Sequence, residues 1–551
     1  MNKREKTILI ILDIITLILV SYPIFQGGII GGYDPGFHMA RIQTLASNIA
    51  SGHFPNPIGF EYLNHFGYGI GFFYGNFFIY PFAWLHLLGV SIYDSYVTYL
   101  IVFTILNIIS INCVMQKLFH NSWATILSAP IYLSSYYVIG IIYFRAAAGE
   151  LIALAIIPWI ILSLQEVLQR KYQYWPLLAI TATLLLVTHI LSFLIIVTTA
   201  LLMCLFNLKT ILKNKQLLRS LLKSAALFLG LGSLFIFSFV QQYLAQPYTD
   251  TAKIADGRYS ILVIANLMHH NFDTKQFIAI NGTFLTLLLL LAAVYYLIRT
   301  IKKPYLNNPF IWQSFLIIAI YGAFILSPNL LSAAVYTFKP LAVLQVITRV
   351  NIVILPLLTL LVANALGKII TNFPKAQLPF VSLFTLVVIV ITISFPIKTN
   401  LKTTASNKTP IAPYSTSMSE YEPKKFNEYN SANNLRVNSA FLEQKEHYEV
   451  IQNNHHLLKI NLKNNSGKRL IMLPRTFYQG YQIETTYNGK ITLQKARTEH
   501  GLVATELPAD LKNGTIIVRY KTTTLAKLGW LITLFSLVIL IRILFKNKSA
   551  E

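Results

Sequence analysis

Charge is scarce in this chain, and acidic charge scarcest. Of 551 residues, 21 are Asp or Glu and 45 are Lys or Arg, while charged residues total 12%. A soluble globular domain carries about twice that share. With 55% hydrophobic residues and a mean hydropathy of +0.56, one large water-facing fold is excluded. Cysteine is nearly absent. Cys113 and Cys204 both sit in apolar runs, so neither a disulfide framework nor a CxxC metal site is available. No Walker loop, no GxGxxG after a strand and no HExxH helix occurs, which leaves nucleotide and zincin chemistry without support. No long internal repeat or low-complexity tract is found. The formal charge of +24 does not indicate nucleic acid. Its Lys and Arg residues cluster in short segments between apolar runs, where they set topology and meet anionic lipid.

What is present is a series of apolar runs. The first, from about Thr7 to Phe25, follows Lys3-Arg4-Glu5-Lys6 and lacks a small-residue cleavage pattern, so it is expected to be retained as a span. It holds an intramembrane carboxylate, Asp13, which needs a partner from a neighbouring span. Further runs lie near 96–117, 123–142, 147–168, 221–240, 278–297, 310–326, 341–366, 378–395 and 525–544. Another, Trp175 to Phe206, is too long for one span and is interrupted at Thr188-His189. Reading it as two short helices places Lys117, Arg170, Lys171, Lys209–Arg219, Arg299, Lys368 and Lys546 inside. The expectation is a polytopic α-helical membrane protein with about twelve transmembrane helices and both termini cytoplasmic.

Two loops are large. The first, 26–94, contains an aromatic and glycine-rich run from Phe66 to Phe78, expected as an interfacial belt, and a following stretch suited to an interfacial or re-entrant helix. The second, 397–522, alternates like strands at Leu457–Leu462 and Thr515–Tyr520, with turns at Asn488-Gly489 and Asn513-Gly514. It is expected to be a small C-terminal extracytoplasmic β domain. The domains are therefore 1–396 (transmembrane), 397–522 (β-rich) and 523–551 (last span and tail).

Polar residues at the expected outer ends of spans are the candidate site. Pro35 suits the first helical position and Asp34 its N-cap. Steps of four and seven then align His38 and Arg41 with Asp34. The row is either a capped interfacial helix with a solvated edge or an acid/base and phosphate-handling group. Glu150 follows Arg145 by five residues at the start of a span, as an anchoring ion pair or as a second carboxylate sharing base, metal or substrate-binding work with Asp34. Arg349, one helical turn after Gln345, suits a phosphate because guanidinium stays charged and donates in a fork. Snorkelling to the headgroups is the alternative. His189 is a turn histidine or a substrate ligand. His269-His270 with Asp273 has metal-like content but points different ways on a helix.

Several short motifs together resemble a known family. They are Asp34-Pro35-Gly36-Phe37-His38-Met39-Ala40-Arg41-Ile42, Gly52-His53-Phe54-Pro55, Phe66-Gly67-Tyr68-Gly69, Arg145 to Glu150, His189 and Leu344-Gln345 to Arg349. This order resembles the YfhO-like bacterial membrane proteins, including relatives labelled 6-pyruvoyl-tetrahydropterin synthase related, a label that implies no pterin chemistry. Phe477-Tyr478-Gln479-Gly480-Tyr481 with Asn488-Gly489-Lys490 is similar to their tail pattern, with Tyr481 where tryptophan is usual. The wider similarity is to GT-C glycosyltransferases. That resemblance implies a GT-C-like transmembrane domain in the bacterial plasma membrane and an inverting sugar transfer. The donor would be a polyprenyl-phosphate-linked sugar and the acceptor an envelope glycopolymer or glycolipid, such as lipoteichoic acid. It implies Asp34 at the catalytic acidic position, Glu150 at a second catalytic acidic position and Arg349 as a lipid-phosphate contact. His38, Arg41, Arg145, His189 and Gln345 are candidates for substrate binding. A divalent cation, Mg or Mn, is the candidate cofactor, although the Asp34 row lacks a full DxD pair. The other function classes open to this sequence are a flippase or transporter of lipid-linked saccharides and a non-catalytic envelope-assembly protein.

Overall fold

The computed structural model describes residues 1–25, 34–249, 274–302, 308–326, 347–387 and 420–548, apart from short gaps at 54, 146, 385, 434, 436–439, 455–456, 463–468 and 509–510. The expected sites Gln345, His269, His270 and Asp273 lie outside the described residues. Helices α1 (Lys3–Phe25), α2 (Pro35–Ala50), α3 (Ile70–Phe73), α4 (Tyr80–Leu87), α5 (Ile92–Phe119), α6 (Ser122–Leu133) and α7 (Tyr136–Ile139) lead into a π-helix, Gly140–Phe144. Then follow α8 (Ala148–Leu168), α9 (Trp175–Leu186), α10 (Ile190–Phe206), α11 (Leu208–Lys213), α12 (Lys215–Ala245), α13 (Thr274–Lys302), α14 (Pro309–Leu326) and α15 (Asn351–Thr371). Two short helices, α16 (Lys424–Asn433) and α17 (Ala440–Glu446), precede eight strands between Tyr448 and Tyr520, and α18 (Thr524–Lys548) closes the chain.

Among the described residues, six helices are long and apolar enough to cross a membrane, and α6 with α7 makes a seventh if that pair, bent by 45°, is one span. The chain is thus a polytopic helical membrane protein with a strand-rich segment near its C-terminus. It divides into two compact units. One comprises Met1–Pro35, Val97–Phe228 and Ala252–Lys408, the other Gly36–Tyr96, Leu229–Thr251 and Thr409–Glu551. Each unit gathers separate stretches of chain.

In the first unit, α8 and α15 are buried on nearly every side. Prolines inside helices create polar debts that neighbours settle. Pro158 has no N–H, which leaves Leu154 O without a helical partner, and the Tyr132 hydroxyl donates to it at 2.9 Å. Asp13 finds a partner on a neighbouring helix. Asn112 Nδ2 donates to it at 2.9 Å, and Asn112 Oδ1 in turn accepts from Ser128 at 2.7 Å, so one polar chain joins α1, α5 and α6. The run from Trp175 to Phe206 breaks at Val187–His189, where the expected interruption falls.

The second unit is built around strands β1 (Tyr448–Asn453), β2 (Leu457–Leu462), β3 (Leu470–Thr476), β4 (Tyr481–Tyr487), β5 (Lys490–Lys495), β6 (Arg497–Glu499), β7 (Leu502–Glu506) and β8 (Gly514–Tyr520). They form antiparallel sheets in the orders β1-β2-β8-β4-β5 and β3-β7-β6. Leu458, Ile460, Ile483, Ile516 and Val518 point inward by strand alternation.

Against them pack Phe66, Tyr68, Phe72 and Phe73 of the first loop, which corrects the expectation of an interfacial belt. The reason is close packing. A Cβ on Gly69 would lie 2.5 Å from the Tyr478 ring, and one on Gly71 would lie 2.7 Å from the Pro57 backbone. Phe73 stacks on Tyr421, and Tyr478 donates to Tyr421 O at 3.0 Å. Arg475 is fully buried and ties the first loop down by donating to His65 O at 2.6 Å and to Asn454 O at 2.9 Å. Helix α4, at eight residues, extends about 12 Å and is too short to cross a bilayer. Residues 229–245 of α12 meet α18 through Gly230, Ser233, Gly529 and Ser536, small side chains that let the backbones approach.

Candidate active site

Five of the expected residues gather in the first unit, at or near the ends of membrane helices. Arg145 caps the π-helix, with its N–H donating to Gly140 O at 2.9 Å. Glu150 occupies the first turn of α8, and Arg349 the short 3₁₀ turn Ile347–Val350 that opens α15. Arg145 grips Glu150 with two teeth, Nη2 to Oε1 at 2.7 Å and Nη1 to Oε2 at 3.1 Å. Arg349 Nε reaches Oε1 at 3.0 Å and the Tyr137 hydroxyl donates to Oε2 at 2.8 Å. Glu150 is 1% exposed, whereas Arg145 and Arg349 keep 27% and 13%, so the carboxylate is the most deeply buried of the three.

Asp34 joins this cluster through its backbone, its N–H donating to Arg145 O at 3.2 Å. Its side chain is half-buried and acts electrostatically on the Arg145 guanidinium. Burial works against the charge on Arg145, but the Glu150 carboxylate beside it more than offsets this and holds the guanidinium above its ordinary value. His189 caps α10 and lies near enough to act electrostatically on Glu150. Its Nδ1 accepts from Ser192 N at 3.2 Å, which places the proton of a neutral ring on Nε2. The Ser192 hydroxyl also lies 2.6 Å from Nδ1. Two guanidinia and a helix N-terminus in one neighbourhood favour an anion.

His38 and Arg41 belong to the second unit. Arg41 is 2% exposed, lies 4.0 Å from the Tyr74 ring centroid and donates to Gly75 O and Asn76 Oδ1, both at 2.7 Å. This geometry fastens residues 74–76 to α2. His38 stacks on Tyr96 with 7° between the rings.

Tyr137 went unnoticed in the sequence because a tyrosine in an apolar run reads as packing. The available signal was the five-residue step from Arg145 to Glu150, which suits no α-helical face. The residues present do not fit a divalent cation at Glu150. Both of its oxygens are taken by arginine and tyrosine donors, and two positive charges already face it. Among the described residues, no group of three or more His, Cys, Asp or Glu side chains is arranged to hold a metal.

The fold and cluster thus define a multi-pass helical membrane protein with a buried carboxylate–diarginine centre beside an acidic residue. No family model matches the chain, and no curated protein matches it. Among solved structures it is similar to the cryo-EM structure of the arabinofuranosyltransferase AftD from Mycobacteria, at 14% identity and a TM-score of 0.47. That match covers 73% of this chain and 27% of AftD, so this chain spans about a quarter of that protein's length.

Proposed function

We propose that this chain is an integral-membrane glycosyltransferase of the GT-C class. It moves a sugar from a polyprenyl-phosphate-linked donor to a glycopolymer or glycolipid acceptor on the extracytoplasmic face of a bacterial plasma membrane. The observation that carries this reading is the Glu150 centre, which orients two arginines, one of them bonded through its backbone to Asp34. In this reading about twelve spans cross the bilayer, both termini are cytoplasmic and the strand-rich segment lies outside. The YfhO-like motifs found in the sequence accord with it, and envelope polymers such as lipoteichoic acid are the acceptor class.

Each residue then has a task. Arg145 and Arg349 bind the phosphate of the donor, with the N-terminus of α10 and His189 adding positive potential. Glu150 orients both guanidinia, a narrower role than the catalytic one expected from its acidity. Asp34 accepts the proton of the acceptor hydroxyl as its oxygen bonds to the anomeric carbon. The bond from that carbon to the phosphate oxygen breaks, and the lipid phosphate leaves with its charge held by the arginines. A single displacement of this kind inverts the anomeric centre.

The test uses the purified full chain in nanodiscs with a panel of undecaprenyl-phosphate-linked sugars. Asp34→Asn is expected to keep donor binding and to lose transfer by a factor of about 10² or more. Arg349→Gln is expected to lose binding. Undiminished transfer by Asp34→Asn removes Asp34 from its role, and binding without transfer for every sugar and acceptor indicates a carrier.

A further inference from the structure

Tyr143 is the fourth residue of the π-helix and is fully buried, two positions before Arg145. Its hydroxyl donates to Val20 O at 2.5 Å, near the end of α1. Two residues further on, Arg145 O accepts the Asp34 N–H at 3.2 Å. One three-residue stretch therefore bonds both α1 and residue 34.

The π-turn sets this register. Arg145 N bonds Gly140 O and Ala147 N bonds Ile141 O, both longer steps than an α-helix makes. In an α-helix each residue turns by about 100°, so relaxing the π-turn would swing Arg145 off both Asp34 and Glu150.

We propose that Tyr143 is a positioning residue for Asp34, anchoring the π-turn to α1 so that Arg145 O stays on the Asp34 N–H. This rests on the reading of Asp34 as the base. The experiment is Tyr143→Phe in the full chain in nanodiscs, which keeps the ring and removes the hydroxyl. Hydrogen–deuterium exchange of the peptide containing residue 34 is expected to quicken by about tenfold. Transfer is expected to show a kcat about tenfold lower with KM for the donor unchanged. Tyr137→Phe, which removes a hydroxyl bonded to Glu150, is expected to leave exchange at residue 34 unchanged. Unaltered exchange in Tyr143→Phe overturns the proposal, whether kcat holds or falls in step with melting temperature. The exchange arm decides the matter even if Asp34→Asn retains transfer, so failure of the base assignment remains distinguishable.

Discussion

Replacing Glu150 with Gln removes the one negative charge between two arginines and turns an acceptor into a donor facing donors. Breaking a fully buried ion pair from one side costs about 3–5 kcal/mol. Arg145 and Arg349 keep 27% and 13% exposure, so water recovers part of that, and the cost falls to about 2–3 kcal/mol. Arg349→Gln is milder, at about 1–2 kcal/mol, because Arg145 and Tyr137 still satisfy Glu150. In the double variant one charge of each sign is gone and Arg145 alone remains. Its cost is expected to be about 2–3 kcal/mol, short of the sum of the singles by about 1–2 kcal/mol. SDS-driven unfolding in mixed micelles measures all three. Additivity within about 0.5 kcal/mol would refute the reasoning, because the two residues would then not share the carboxylate.

Gly69→Ala drives a Cβ into the Tyr478 ring and is expected to destabilise the strand-rich unit by about 1–3 kcal/mol, read as faster proteolysis between 420 and 520. Alkaline pH acts on the same core. Burial raises Tyr68, Tyr448, Tyr478 and Tyr481 above their ordinary value of 10.0, so the folded unit holds protons that the unfolded chain releases. Their contribution is complete below pH 10 and lost above it, and tyrosinate absorbance is expected to rise together with unfolding. Independent titration of these tyrosines near pH 10 in a still-folded protein would contradict their burial.

The membrane class was legible because twenty-residue apolar runs have few other uses, and Asp13 announced its need for a partner. The Arg145–Glu150 pair and Arg349 stood out as charges where charge is costly. The aromatic first loop did not reveal its place. Phe66, Tyr68 and Phe72 contact strands some four hundred residues later, and no local period records such a contact. Arg41 was a phosphate candidate by spacing, and in the fold its Nη2 donates to the carbonyl of Gly75 and the side chain of Asn76. The π-turn escaped because reading at 3.6 residues per turn has no place for a five-residue step.

The decisive measurement is mass spectrometry of envelope glycopolymers from cells that make the native chain or the Asp34→Asn variant. One glycosyl increment present with the native chain and missing with the variant is the predicted result. The same increment with both, or with neither, would contradict the assignment of sugar transfer to this carboxylate.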